Sequence, residues 1–584
     1  MSFSRSCRRP RRLALVALML CASSILTLYI MAPPTWEFAP LNFFEDHSVK
    51  RMPVAEPLAP LSKRVACQGP RGRDLSSSPD DELLSVKLNI SYPTPFIGSH
   101  KDLGLEQTWM TVDGRYGPYG YGEEDGAYGR AKVDWDKVNW GGLQNKCFEQ
   151  NKQRFPRAAT GFTNEPRFRP TDAEVPPAVP TWDQFNSTRR TAIVVRAYNG
   201  FHYKPEDMFN LRSLMVETSL RTGGEYAVVL LVNIRGKDSN IFASKESYDK
   251  AFEAANIPEE FHSIALLWDE ALLKSWYPKV GEHRTEWQVF QPLQLFALHY
   301  PEFDHYWQLE MDVRFLGDAG AYLDAVSAFA RAEPRKQALE RSTFPHVPAE
   351  DGDYAAFAAA VDAANAGGSR VWGPVRIPDV SPIGPVPPVR RPRDDARGAG
   401  AWGVGEDADV VVTSACADAT SSTTWVYRDW VGGLRRGRDT PRLFCPPAIM
   451  RSSRALLLAV HDAQVRLGVR LPSESTLPSF AMWHGLKMSY PPQPVYFGRR
   501  DDAELARDWY RGGPRNSSGG LGPSDPQRSP EGGLSWWWEN KWPREIVDAW
   551  VAGDAGRADL PYLLGVEGGR VYAPNVALHP VKTQ

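Results

Sequence analysis

The chain predicts an α/β fold, with a mainly parallel sheet carrying helices on both faces. Three observations carry that expectation. From Thr191 onward, short β-branched apolar runs alternate with amphipathic stretches, the order of successive βαβ units. The runs are short, β-branched and mostly apolar, as buried strands are. One stretch, Tyr306 to Asp318, instead alternates: Trp307, Leu309, Met311, Val313 and Phe315 are interleaved with Gln308, Glu310, Asp312 and Arg314. Period two puts Glu310 and Asp312 on one strand face, where two carboxylates near a strand end can present hard oxygen ligands to a divalent cation. The same pattern also describes a half-solvated strand whose charges neutralise one another through Arg314.

The elements follow in order. Thr191–Tyr198 is the first strand, and Pro205 to Arg221 is a helix stopped by Gly223 and Gly224. Glu225–Ile234 is the second strand, Tyr248–Ala255 a short helix and Ser263–Trp268 the third strand. Pro292 opens a helix that Pro301 closes, directly before the strand bearing the two carboxylates. Arg331 to Ala366 is Ala-rich and helix-compatible, and Asp409–Thr413 is a further strand. Pro446 to Gly468 reads as a helix with Leu456, Leu457, Val460, Gln464 and Leu467 along one stripe. Stretches rich in Gly and Pro mark insertions at about 374–400 and 511–533.

A chain of 584 residues with 42% hydrophobic content can bury a large core, and a formal net charge of -2 offers no basic field to nucleic acid. At the N-terminus, Arg5, Arg8, Arg9, Arg11 and Arg12 precede an uncharged apolar run from Leu13 to Met31. At about 1.5 Å per residue that run spans a bilayer. It reads as an uncleaved signal anchor: residues 1–12 cytosolic, 13–31 spanning, 32–81 a Pro- and Ser-rich stem, and the bulk lumenal in a single-pass type II arrangement. A cleaved signal peptide is the rival reading, but the small residues near Cys21 lie inside the run rather than after it. Residues 82–190 are aromatic and Gly-rich and read as a wrap against the core, with a carbohydrate-stacking platform as the alternative. The body of the fold is then 191–584.

Sequons at Asn89, Asn186 and Asn516 all follow the anchor, as a lumenal location requires. Four cysteines lie beyond the anchor: Cys67, Cys147, Cys416 and Cys445. Three pairings are open to them, of which Cys67 with Cys147 and Cys416 with Cys445 is the sequence-local one. Glu406, Asp407 and Asp409 lead into the strand at 409–413; Asp407, with Arg314, is the candidate for substrate contact. Late in the chain, Glu474 is the candidate for contact with an acceptor hydroxyl or for general base. His484 is the candidate imidazole ligand, and His579 is a second late histidine.

Two resemblances rest on these residues. Over Arg115 to Glu123, Tyr306 to Phe315, Trp402 to Asp409 and His484 to Lys487, the chain resembles an uncharacterised fungal membrane-anchored family catalogued as a domain of unknown function. More distantly, His305 to Phe315 is similar to the Glu-Pro-Asp segment of the fungal α-1,2-mannosyltransferases, departing from it at Met311; the strand and helix order resembles the nucleotide-sugar half of the glycosyltransferase A fold. The second resemblance implies Mn²⁺ or Mg²⁺ held by Glu310, Asp312 and a late histidine. It also implies a nucleotide-sugar donor, tilted toward GDP-mannose, and a glycan or glycoprotein acceptor; the anchor points to residence in the Golgi or endoplasmic reticulum membrane. The expected function is therefore a membrane-anchored lumenal glycosyltransferase. The alternatives are a noncatalytic lumenal binding or scaffold protein of the same fold and a secreted metal-dependent hydrolase.

Overall fold

The computed structural model describes residues 64–582 except 125, 127–128, 156–157, 159, 172–186, 237–238, 366–372, 386–398, 499–511, 518–520, 523–532 and 538–539. The tail, the anchor at 13–31, the stem up to residue 63 and Asn186 therefore lie outside the described residues. Among the described residues no helix is long and apolar enough to cross a membrane.

A seven-stranded sheet organises the chain. Its strands are β1 Thr191–Tyr198, β2 Tyr226–Ile234, β3 Ala265–Asp269, β4 His305–Glu310, β5 Val410–Val412, β6 Ile449–Ser453 and β7 Met488–Ser489, in the spatial order β3-β2-β1-β4-β6-β5-β7. The pairs β1 with β2, β1 with β4, β2 with β3, and β5 with β7 are parallel, while β6 runs antiparallel to both β4 and β5. Every residue of β2 is buried, which is why its sequence YAVVLLVNI shows no alternation.

Helices cover both faces. On one side α2 (Pro205–Leu214, continuing as the wider turn Met215–Leu220) and α5 (Ala319–Ala332) bury Leu211, Leu214, Leu323 and Val326 against Ile193 and Val195. On the other, α4 (Gln291–His299), α6 (Arg454–Leu467) and α7 (Ser473–His484) pack Leu293, Phe296, Leu457 and Phe480 with Val194 and Leu231. Local chemistry sets the ends of α6. The Ser453 hydroxyl accepts from the Leu456 N–H, and Gly468 takes a left-handed φ of 67° past the last turn.

The structure departs from the sequence reading in three places. The alternating stretch at 306–318 is not one strand: β4 ends at Glu310, Met311–Asp312 turns, and Arg314–Phe315 pairs antiparallel with Ala577–Leu578. The region read as a helix from Pro446 begins with β6, whose polar Arg451, Ser452 and Ser453 are buried because the strand lies between two neighbours. Residues 64–81, assigned to the stem, pack on the body. Cys67 is bonded to Cys147 on α1 (Trp140–Gln150), and Arg71 is buried with Asp81 and Glu123 at 2.5 Å each. Cys416 is bonded to Cys445, so the sequence-local pairing is the one present.

The wrapping segment and the C-terminus meet in a small antiparallel sheet of Ser85–Val86, Trp109–Met110, Arg570–Pro574 and Gly565–Glu567. Arg115 pairs with buried Glu217 and donates to the Phe315 carbonyl at 2.8 Å. The wrap thus anchors the chain just beyond the two carboxylates.

Candidate metal centre

Strands β2 and β4 lie on opposite sides of β1, so the crossing direction reverses between β1 and β4. A crevice opens at the carboxyl ends of parallel strands at such a switch point, and ligands of open α/β sheets bind there. Glu310 is the last residue of β4, in register with Arg196 of β1. A cavity of about 410 Å³ lies at this edge, lined among others by Arg196, Tyr198, Asn233, Trp268, Glu310 and Asp312.

Asp312 reaches Glu310 across a turn rather than along a strand face. Arg314 holds that turn from below: its guanidinium donates to the carbonyls of Met311 at 2.5 Å and Val313 at 3.0 Å and pairs with Asp207 of α2. Asn210 adds a bond to the Val313 carbonyl at 3.1 Å. Arg314 is buried, so it positions Asp312 and does not face the cavity; the expected substrate contact is corrected to a structural one.

The third member is His579. The pairing of Ala577–Leu578 with Arg314–Phe315, extended by the Val581 N–H to the Asp312 carbonyl at 2.7 Å, brings the C-terminal strand against the turn. His579 Nδ1 meets the Trp537 carbonyl at 2.6 Å, which assigns Nδ1 as the N–H donor and leaves Nε2 facing the carboxylates. Nε2 lies 3.1 Å from Glu310 and 3.4 Å from Asp312, and one ligand atom from each of the three residues falls within 4.8 Å of the others. Adjacent donors around an octahedral ion with bonds of about 2.1 Å sit roughly 3 Å apart, a spacing that the two distances from His579 approach, so these three residues are the ones that could hold a divalent cation.

The electrostatics serve either a cation or a proton. Burial opposes a charge on His579, but its hydrogen bonds and the charges of Asp312 and Glu310 outweigh that and push the imidazole up to about 10. Asp312 is itself partly desolvated, yet the bond to His579 holds its carboxyl below the usual range. The carboxylate side chains remain 29% and 21% exposed, open to the cavity, while His579 is 3% exposed. Arg196 pairs with the remaining oxygen of Glu310. Gln308, also lining the cavity, is buried with both amide atoms lacking partners among the described residues.

The other candidates from the sequence lie elsewhere. His484 ends α7, buried and stacked on Phe480 at 5.9 Å, and burial pushes its imidazole down to about 4. It is not part of the carboxylate cluster, and His579 takes the place expected for it. Glu474 sits in the first turn of α7, where burial raises its carboxyl; it does not line the cavity. Asp407 lies toward the opposite end of β4, held by Arg331 at 2.8 Å and Arg451 at 3.4 Å. Asn89 and Asn516 are exposed. The only sequence signal for His579 is a late histidine after the apolar run Val576–Leu578, because Glu310 is 269 residues away.

No curated protein matches the chain. A family model described as "Protein of unknown function (DUF3405)" matches residues 111–583, which takes in the switch-point carboxylates, the turn that holds them and the strand that delivers His579. The chain is thus a member of that family, whose description names no reaction.

Proposed function

We propose that the protein is a metal-dependent glycosyltransferase, anchored in a secretory-pathway membrane with its body in the lumen, that moves a sugar from a nucleotide-sugar donor to a glycan or glycoprotein. The observation that carries this reading is the placement of Glu310, Asp312 and His579 at the switch-point edge of the sheet, opening on a cavity large enough for a nucleotide. The fold is read as glycosyltransferase A-like on the same ground, with a single antiparallel strand in an otherwise parallel sheet.

Each group has a task under this reading. Glu310 Oε2, Asp312 Oδ1 and His579 Nε2 would hold Mn²⁺ or Mg²⁺, which stabilises the negative charge that a nucleoside diphosphate develops as it leaves. Arg235 and Lys582, at the cavity wall, add positive charge for the phosphates. Tyr198, Trp268 and Leu293 supply an apolar surface, and the free amide of Gln308 a polar contact within it. Two disulfides and two exposed sequons fit an oxidising lumen.

The test is nucleotide release by the full-length protein from a panel of nucleotide sugars, with Mn²⁺ and with chelator. Release is expected with Mn²⁺ for one donor and absent in Asp312→Ala, which folds normally. A protein that binds no nucleotide with Mn²⁺ present would return the cluster to a proton-bridged surface group. Binding without release, with or without acceptor, would mark a noncatalytic relative.

A further inference from the structure

The loop between β5 and β6 runs over residues 413–448, and the Cys416–Cys445 disulfide ties its two ends with Cα atoms 4.3 Å apart. Just inside the disulfide, Ala417–Asp418 pairs antiparallel with Leu443–Phe444. Loops beyond about 15 residues with little regular structure are uncommon in compact domains and are usually functional or linker segments; this one is closed by a disulfide. Because β4 and β5 both run antiparallel to β6, they are parallel to each other, and the loop leaves the sheet at the same edge as Glu310.

Its tip is aromatic. Trp425, Tyr427 and Trp430 gather at the surface, with Tyr427 40% and the adjoining Val426 81% exposed. Tyr427 and Trp430 stand 4.8 and 4.5 Å from the ring of half-buried Trp287, and Trp425 stacks on Phe444 at 4.8 Å. Trp287 lies in the chain between Thr285 and Val289, which line the cavity, so the rings stand on a segment that borders it. Half-buried Arg428, which also donates to the Ser422 carbonyl at 2.8 Å, pairs with exposed Asp429 at 3.0 Å on the same tip, and Arg470 covers Trp430 at 4.9 Å.

Packing accounts for Trp425 on Phe444 and for Trp430 between Trp287 and Arg470, but it leaves Tyr427 and Val426 facing solvent although the disulfide already closes the loop. A pyranose has the matching chemistry, with one C–H face for an aromatic ring and a rim of hydroxyls for a planar charged pair. We propose that this disulfide-closed loop is the acceptor subsite and binds a pyranose ring of the glycan that receives the sugar. The inference rests on the glycosyltransferase reading of the metal centre and names the substrate surface beside it.

The experiment is saturation-transfer NMR on the full-length protein with millimolar methyl α-D-mannopyranoside and methyl β-D-galactopyranoside. Wild type is expected to transfer saturation chiefly to the C–H protons of one face of a sugar. The signal should fall at least fivefold in Trp430→Ala and in Tyr427→Ala, whose exposed position leaves folding intact, and return in Tyr427→Trp. Titration of the same samples with Mn²⁺ and GDP should give wild-type affinity in every variant. No transfer to either sugar in wild type, or equal transfer in both alanine variants, overturns the proposal. Absent sugar signal with self-association that Tyr427→Ala removes also overturns it, marking the patch as a contact between copies. Loss of Mn²⁺–GDP binding in wild type sinks the donor reading instead, and is scored separately from the sugar signal.

Discussion

Both ends of β4 carry clustered charge, and they differ in how that charge is satisfied. At the amino end, Asp407 is enclosed by Arg331 and Arg451 beside His305, and next to it Arg335 pairs with Glu406 at 2.6 Å. Lys487 caps this cluster, its ammonium donating to the carbonyls of Gly403 at 2.8 Å and Glu406 at 2.7 Å. Cations meet anions there, and the group is complete. At the carboxyl end, Glu310 and Asp312 share one imidazole and Glu310 also meets Arg196, yet the two carboxylates converge, stay 29% and 21% exposed and line a cavity. Closed ion-pair networks stabilise a fold, whereas convergent carboxylates beside a cavity are poised for a ligand. Acidic residues in a motif therefore do not identify a site until their partners are known.

The sharpest way to break this contrast is to exchange histidines. His579→Ala should weaken Mn²⁺ binding by on the order of tenfold or more, while His484→Ala leaves it unchanged, both read by calorimetry. Equal losses, or none, would end the distinction between the two late histidines.

A second, smaller effect belongs to the amino end. Asp407→Ala leaves Arg331 and Arg451 facing each other and should cost about 1–3 kcal/mol in denaturant unfolding, less than a fully buried pair because Asp407 is 34% exposed. Mn²⁺ affinity should stay at the wild-type value; a drop would mean that the two ends communicate.

The mildest test uses pH. Asp409 is buried, and desolvation raises its carboxyl from 3.8 to about 6 despite Arg335 and the Lys487 N–H. Its folded pKa exceeds its unfolded one, so the stability it contributes is full below about pH 4 and is lost as pH rises through 6. Asp409→Asn should flatten the fall in melting temperature between pH 4 and 6. An unchanged slope would show that Asp409 stays ionised at the closed end of the strand.

Much of this architecture was legible before the fold was known. The β-branched runs of β1 to β3, the Gly223–Gly224 stop and the α6 stripe follow from side-chain period and backbone freedom, which act over a few neighbouring residues. β6 is not legible locally, because its burial comes from strands on both sides, and Arg451, Ser452 and Ser453 look exposed to any local pattern. Period two puts Glu310 and Asp312 side by side in the sequence, but a turn rather than strand alternation unites them in the fold.

Local residue order sufficed for an α/β fold with a mainly parallel sheet and for helix stops such as Gly223–Gly224 and Gly468, because each depends on neighbours within a turn or a strand. Which histidine joins Glu310 and Asp312, whether Arg314 meets ligand or backbone, and which acidic cluster is open were settled only when distant segments docked. Those outcomes depend on pairing across hundreds of residues: the strand Ala577–Leu578 lies against Arg314–Phe315, and no short-range preference encodes that meeting.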